Sequence, residues 1–191
     1  MAGRADRARS VRSPDPPARS QRDVTDHAAT GEPLGSRVRL ERIGLERARA
    51  IVAGDYTGLD PAPGWPHDDT LDGIRISAVF ATSDDETGFL VLLVETGQVI
   101  GDAGWKGGPD AAGQVEIGYG LAAPSRGLGL GTEMVLAVRD WAIAQPGVRA
   151  VLAEALEENR PSWRALEAAG FVLELRTPPT VLYVYEPRRG R

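Results

Sequence analysis

The stretch Arg126-Gly127-Leu128-Gly129-Leu130-Gly131-Thr132 decides how the rest of the chain is read. It lies between a strand-like run, residues 115–121, and an amphipathic helical run, residues 132–144. A glycine-rich turn that feeds a helix start is a ready anion site. The first amides of the helix have no intrahelical acceptor, and the helix dipole adds positive character there. Glycine also lets a phosphate approach the main chain closely. The expectation is therefore a phosphate-bearing, nucleotide-like ligand.

Two common phosphate motifs fail. A P-loop needs Lys before its Ser or Thr, and the only lysine in the chain is Lys106. This weighs heavily against a kinase or another phosphate-ligand transferase. The dinucleotide fingerprint needs a third glycine three residues after the second. Counted from Gly127 that position is Thr132, and counted from Gly129 it is Met134.

What remains is R-x-x-G-x-G, Arg126 to Gly131. Downstream, Asn159-Arg160-Pro161-Ser162-Trp163-Arg164-Ala165-Leu166-Glu167-Ala168-Ala169-Gly170-Phe171 reads as an Asn-capped helix with Pro in its first turn and Gly at its end. The two segments, separated by one helix and one strand, resemble the motifs of the GNAT superfamily of acetyl-CoA-dependent N-acyltransferases. The Glu116-Ile117-Gly118-Tyr119 stretch is similar to that of the ribosomal-protein N-terminal acetyltransferases.

Composition narrows the chemistry independently. The 191 residues include no cysteine and two histidines, His27 and His67. A disulfide framework, a thiolate nucleophile and a Cys or His metal site are therefore not expected. A Ser-His-Asp triad, for which His67 would be the only plausible base, is not expected either. The net charge is −5, and residues 1–33 hold six arginines against five acids. The remainder is thus acidic, which argues against a nucleic-acid partner and suits a cationic acceptor. No run reaches the 18 apolar residues of a membrane span, and the N-terminus lacks a secretory apolar region. A cytoplasmic protein with no membrane partner is expected.

Residues 1–33 are poor in large apolar residues and read as a disordered tail; residues 34–191 read as one domain. Period and breakers give a strand near 37–43, helices over 45–53 and from Asp68 or Asp69 to about 82, and strands over 89–94, 99–105 and 115–121. The phosphate turn and its helix follow, then a strand over 148–156, the Asn159 helix and a closing hairpin, 171–175 with 181–185. The order is β-α-α-β-β-β-α-β-α-β-β. By resemblance, residues 37–186 form the GNAT α/β (α+β) fold: one domain with a mixed, mostly antiparallel sheet flanked by helices. The hairpin strand 181–185 is a candidate edge for a homodimer.

The resemblance also implies roles. The main chain from Leu121 to Ala123 would hold the pantetheine arm of acetyl-CoA. The amides of Arg126, Gly127, Leu128, Gly129, Leu130, Gly131 and Thr132 would cradle its pyrophosphate, with the Arg126 side chain near the phosphates. Asn159 would bond the arm or a water. Glu116 is the expected general base; a salt-bridged strand glutamate is the other reading. Tyr119, on the opposite strand face, reads as core. Many relatives carry a tyrosine where this chain has Leu166, so either Ser162 or a water protonates the leaving thiolate. The acceptor, a small-molecule amine or a protein N-terminus, would meet Trp65, His67, Asp68, Trp105 and Asp110, although Trp65 equally suits a packed loop. The competing class is a non-catalytic acyl-CoA-binding module on the same fold.

Overall fold

The computed structural model describes residues 36–80 and 88–187, with residues 77–80 described by main chain only. The tail expected over residues 1–33 and the helix end expected near 82 lie outside the described residues. Strands are β1 (Val38–Arg42), β2 (Phe89–Leu93), β3 (Val99–Trp105), β4 (Gln114–Leu121), β5 (Ala150–Leu156), β6 (Val172–Thr177) and β7 (Thr180–Tyr185). Helices are α1 (Leu45–Val52), α2 (Asp68–Phe80), α3 (Leu130–Ile143) and α4 (Arg160–Ala168). This is the expected element order, with one 3-10 turn, Ala123–Ser125, added after β4.

The strands make one sheet in the order β1-β2-β3-β4-β5-β7-β6. Every neighbouring pair is antiparallel except β4 with β5. Strand β7 therefore lies between β5 and β6, so the expected dimer edge at 181–185 is corrected: both sides of that strand are already paired. Its alternation explains the position. Val181 and Tyr183 are buried, whereas β6 exposes Val172 and Leu175 as a short edge strand.

Register assigns the two sheet faces. Trp105 opposes Ile117 and Ala103 opposes Tyr119, so these four share a face. That face carries α3, whose Trp141 ring meets Phe89 and Trp105 edge-on, each at 4.7 Å between centroids. It also carries α4, whose Trp163 meets Tyr183 at 6.2 Å. Helix α3 buries Leu130, Met134, Val135, Ala137, Val138, Trp141 and Ala142. That stripe recurs at three- and four-residue spacing, as a core-facing helix requires. The other face presents Asp102, Gly104, Gly118 and Gly120 toward the side of α1 and α2, which pack against each other.

The parallel pair is short. Register runs from Gln114↔Ala150 to Ile117↔Ala153 and stops there. Beyond Ile117, β4 keeps β3, while β5 keeps only β7. The sheet opens between β4 and β5 along the stretch of β4 that leads into the glycine turn.

Candidate active site

The open side of β4 has a definite polarity. Lys106 N–H donates to the Glu116 carbonyl and Ala122 N–H to the Ile100 carbonyl. Even-numbered residues of β4 thus turn their main chain to β3. Strand alternation then turns the main chains of Tyr119 and Leu121 toward the side that β5 has left. The Leu121 carbonyl accepts from Arg126 Nε at 2.8 Å, so the Arg126 side chain folds back over the opening. Ala123 is exposed and starts the 3-10 turn.

The turn itself is built by two left-handed glycines, Gly127 at φ 76° and Gly129 at φ 81°. These conformations cost a side-chain-bearing residue about 1 kcal/mol or more. Helix α3 starts at Leu130 rather than at the expected Thr132, because Gly129 serves as its N-cap. Among the described residues, no hydrogen bond accounts for the amides of residues 127–131, whereas Thr132 N–H returns to the Gly129 carbonyl. A Cβ at Gly127 would meet nothing within 4 Å, so the approach is open. Leu128 is exposed and Gly131 lies in the first turn of α3, where its added Cβ would be 3.7 Å from Leu121.

Arg37, which was not among the expected site residues, clamps this turn from β1. Its Nη2 donates to the Leu128 carbonyl at 3.0 Å and pairs with Glu133 at 2.5 Å. Burial alone would raise the Glu133 carboxyl, but the hydrogen bonds and charge of Arg37 hold it below its ordinary value. In the sequence this arginine read only as part of an alternating charged strand, and nothing there linked it to a turn some ninety residues away.

On the α3 and α4 side of the opening, Asn159 accepts from Ser162 N–H at 3.2 Å and caps α4. Among the described residues no hydrogen bond accounts for its amide NH2. The Ser162 hydroxyl lies 2.7 Å from the Tyr119 hydroxyl. Tyr119 is therefore more than core: its phenol reaches across to α4. Burial pushes that phenol up to about 12, against the pull of its bond to Ser162, so it stays protonated at neutral pH. Leu166 is fully buried and offers no proton.

On the opposite side, Glu116 Oε1 pairs with Lys106 Nζ at 2.5 Å, both partly exposed. Glu116 lies within the paired part of β4, four residues before Gly120 and about 13 Å from it along the strand. His67 packs directly against Gly120, where an added Cβ would fall 2.8 Å from both Cε1 and Nε2 of the ring. Of two other expected acceptor residues, one is packed away on this side and one lies on the other face. Trp65 is 5% exposed, and its Nε1 donates to Asp102. Trp105 lies on the α3 face against Trp141, because its odd position in β3 turns it away from Glu116. Asp110 accepts from the amides of Ala112 and Gln114, closing its hairpin. Asp68 is exposed in the first turn of α2.

Relatives fit this geometry. Residues 37–172 match the family described as Acetyltransferase (GNAT) domain. An uncharacterized N-acetyltransferase of Bacillus subtilis, YjdG, is 23% identical over 159 residues, 78% of this chain and 95% of its own. Mycobacterium smegmatis RimJ, solved with CoA-disulfide, superposes with a TM-score of 0.53 at 21% identity, covering 78% of this chain and 81% of that one. AAC(6')-Ib, solved with paromomycin and acetyl-CoA, has a TM-score of 0.56 at 21% identity, covering 79% and 94%. A strand pair that opens at a glycine turn, in this element order and over this span of sequence, makes the chain a member of the GNAT acetyltransferase family.

Proposed function

We propose that the chain transfers an acetyl group from acetyl-CoA to a primary amine, by direct attack in a ternary complex. One observation carries this reading: among the described residues no acceptor accounts for amides 127–131, which lie directly beside the part of β4 that β5 does not pair. A pyrophosphate on the turn and an extended arm along Tyr119 and Leu121 would each find main-chain partners there. Related proteins solved with acetyl-CoA or a CoA disulfide support the same donor.

The chemistry divides between the two sides of the opening. An acceptor arrives as an ammonium and must lose a proton before it attacks. Glu116 supplies negative charge on the acceptor side and takes that proton through intervening water, since the strand holds it away from Gly120. The departing thiolate takes a proton from Ser162, which recovers one from solvent water, and the Tyr119 phenol holds that hydroxyl in place. Orientation by the turn and the open strand contributes the rest.

The acidic body of the protein favours cationic acceptors, leaving small amines and protein N-termini as the two classes. The test is CoA-thiol release from acetyl-CoA by the full chain, with an aminoglycoside, a polyamine and Ala- or Ser-initiated peptides as acceptors. Amine-dependent release in one class and not the other identifies the acceptor. Binding of acetyl-CoA with no release on any amine would contradict the transferase reading in favour of an acyl-CoA-binding module.

A further inference from the structure

Lys106 is the only lysine in the chain, and the fold sets it beside the open stretch of β4. It follows β3 directly, and its N–H donates to the Glu116 carbonyl, so the two residues oppose each other across the strand pair. Nζ lies 2.5 Å from Glu116 Oε1. Even-numbered residues of β4 share a face, so this pair stands on the same side as Gly118 and Gly120. The lysine stem leans along that face: a Cβ added at Gly118 would be 3.6 Å from Lys106 Cε. Between Lys106 and the His67 ring, which packs on Gly120, β4 presents only these two glycines. The Lys106 side chain is 56% exposed, so it can swing over them.

We propose that Lys106 Nζ is a self-acetylation site, with acetyl-CoA as the donor. This rests on the acetyl-transfer reading above. In that reading the pantetheine arm runs from the glycine turn along Leu121 and Tyr119, so its thioester ends beside Gly118, where the lysine stem already lies. The carboxylate that serves a free acceptor through water touches this ammonium directly. Glu116 takes one proton from Nζ. The neutral amine attacks the thioester carbon, the C–N bond forms, the C–S bond breaks, and the second N–H proton passes to water. The thiolate takes one proton from Ser162, which recovers one from solvent water. Once Glu116 has returned its proton to solvent, one proton is released overall, with Nε-acetyl-Lys106 and CoA as products.

The modification changes the charge of the acceptor side. Acetylation removes the lysine cation and its ion-pair donor, so the modified chain offers the Glu116 carboxylate unpaired to the ammonium of the next acceptor. The pair is partly exposed on both sides, so giving it up costs the fold little. The unmodified lysine, in contrast, competes with a cationic acceptor for the same carboxylate.

The test is the intact mass of the full chain after incubation with acetyl-CoA and no added amine, followed by peptide mapping. One acetyl group, about 42 Da, should appear on Lys106, with a half-time that does not change when the protein is diluted. Lys106→Arg keeps the cation and its pair with Glu116 but offers no nucleophilic amine, so it should gain no mass, with Tm unchanged. Two variants separate enzymatic transfer from chemical labelling by the thioester. Gly129→Val reshapes the phosphate turn and should slow labelling at least about tenfold; Glu116→Gln leaves the turn intact and should slow it about 100-fold. No mass gain, a gain confined to the N-terminal amine, wild-type labelling in Glu116→Gln, or a half-time that shortens with protein concentration would overturn the proposal. Amine-dependent thiol release by a chain that gains no mass would leave the transfer reading standing. Neither mass gain nor release on any amine would sink that reading as well.

Discussion

On the side of β4 that faces α3 and α4, the polar atoms come from runs of consecutive residues: amides 127–131, then Asn159 and Ser162. On the side that faces α2, they come from single side chains brought together across the sheet: His67, Thr70, Asp102 and Glu116. The first arrangement is mostly main chain, so single side-chain truncations leave it standing, and it yields only to changes in backbone shape. The second depends on each side chain and fails at single substitutions. Donor binding and acceptor chemistry should therefore break separately.

The largest effect is expected on the main-chain side. Gly129→Val places a β-branched residue at φ 81°, a conformation strongly disfavoured for such residues, and reshapes the start of α3. Acetyl-CoA affinity measured by calorimetry should fall by roughly two orders of magnitude or more, since on the proposed reading the turn supplies most of the phosphate contacts. On the other side, Glu116→Gln should lower kcat about 100-fold while acetyl-CoA affinity stays within about twofold. Equal losses in both quantities for either variant would mean that the two sides are not separable.

These two sides also differ in how far they could be read from sequence. The turn, its helix and the Asn159 cap are local patterns in which spacing along the chain is spacing in space, and all were legible. The element order was legible for the same reason, through strand alternation and helical period. The placing of β7 between β5 and β6 was not, because pairing partners are chosen by long-range packing of Val181 and Tyr183. Nor was the His67–Thr70–Asp102 linkage, which depends on β3 register and on the approach of α2. Trp65 takes the packed-loop alternative that the sequence offered, and Trp105 turns to the α3 face; which face a strand residue takes depends on register with its neighbours.

Smaller effects sharpen the contrast. Thr70→Val removes the hydroxyl that joins His67 to Asp102 and leaves the carboxylate short of a donor. It should cost roughly 1–3 kcal/mol, seen as a Tm lower by several degrees. Tyr119→Phe removes one partner of Ser162 and should cost roughly 1 kcal/mol with a modest fall in kcat. Because the phenol stays protonated up to about pH 12, the wild-type rate should show no decline from its ionisation below about pH 10. Arg37→Ala should matter least. The pair with Glu133 is half-exposed on the arginine side, so its loss is worth under about 1 kcal/mol. Since Glu133 is held below 4.5, that stabilisation is present above about pH 4.5 and fades as pH falls through the lowered folded value. Melting curves of the two proteins should therefore converge in acid.

Isothermal titration of the full chain with acetyl-CoA, with ATP and NAD as controls, bears most directly on the account. It predicts micromolar binding of acetyl-CoA, none of the controls, and loss of binding in Gly129→Val. Equal binding of ATP or NAD, or no acetyl-CoA binding by the wild-type chain, would contradict it.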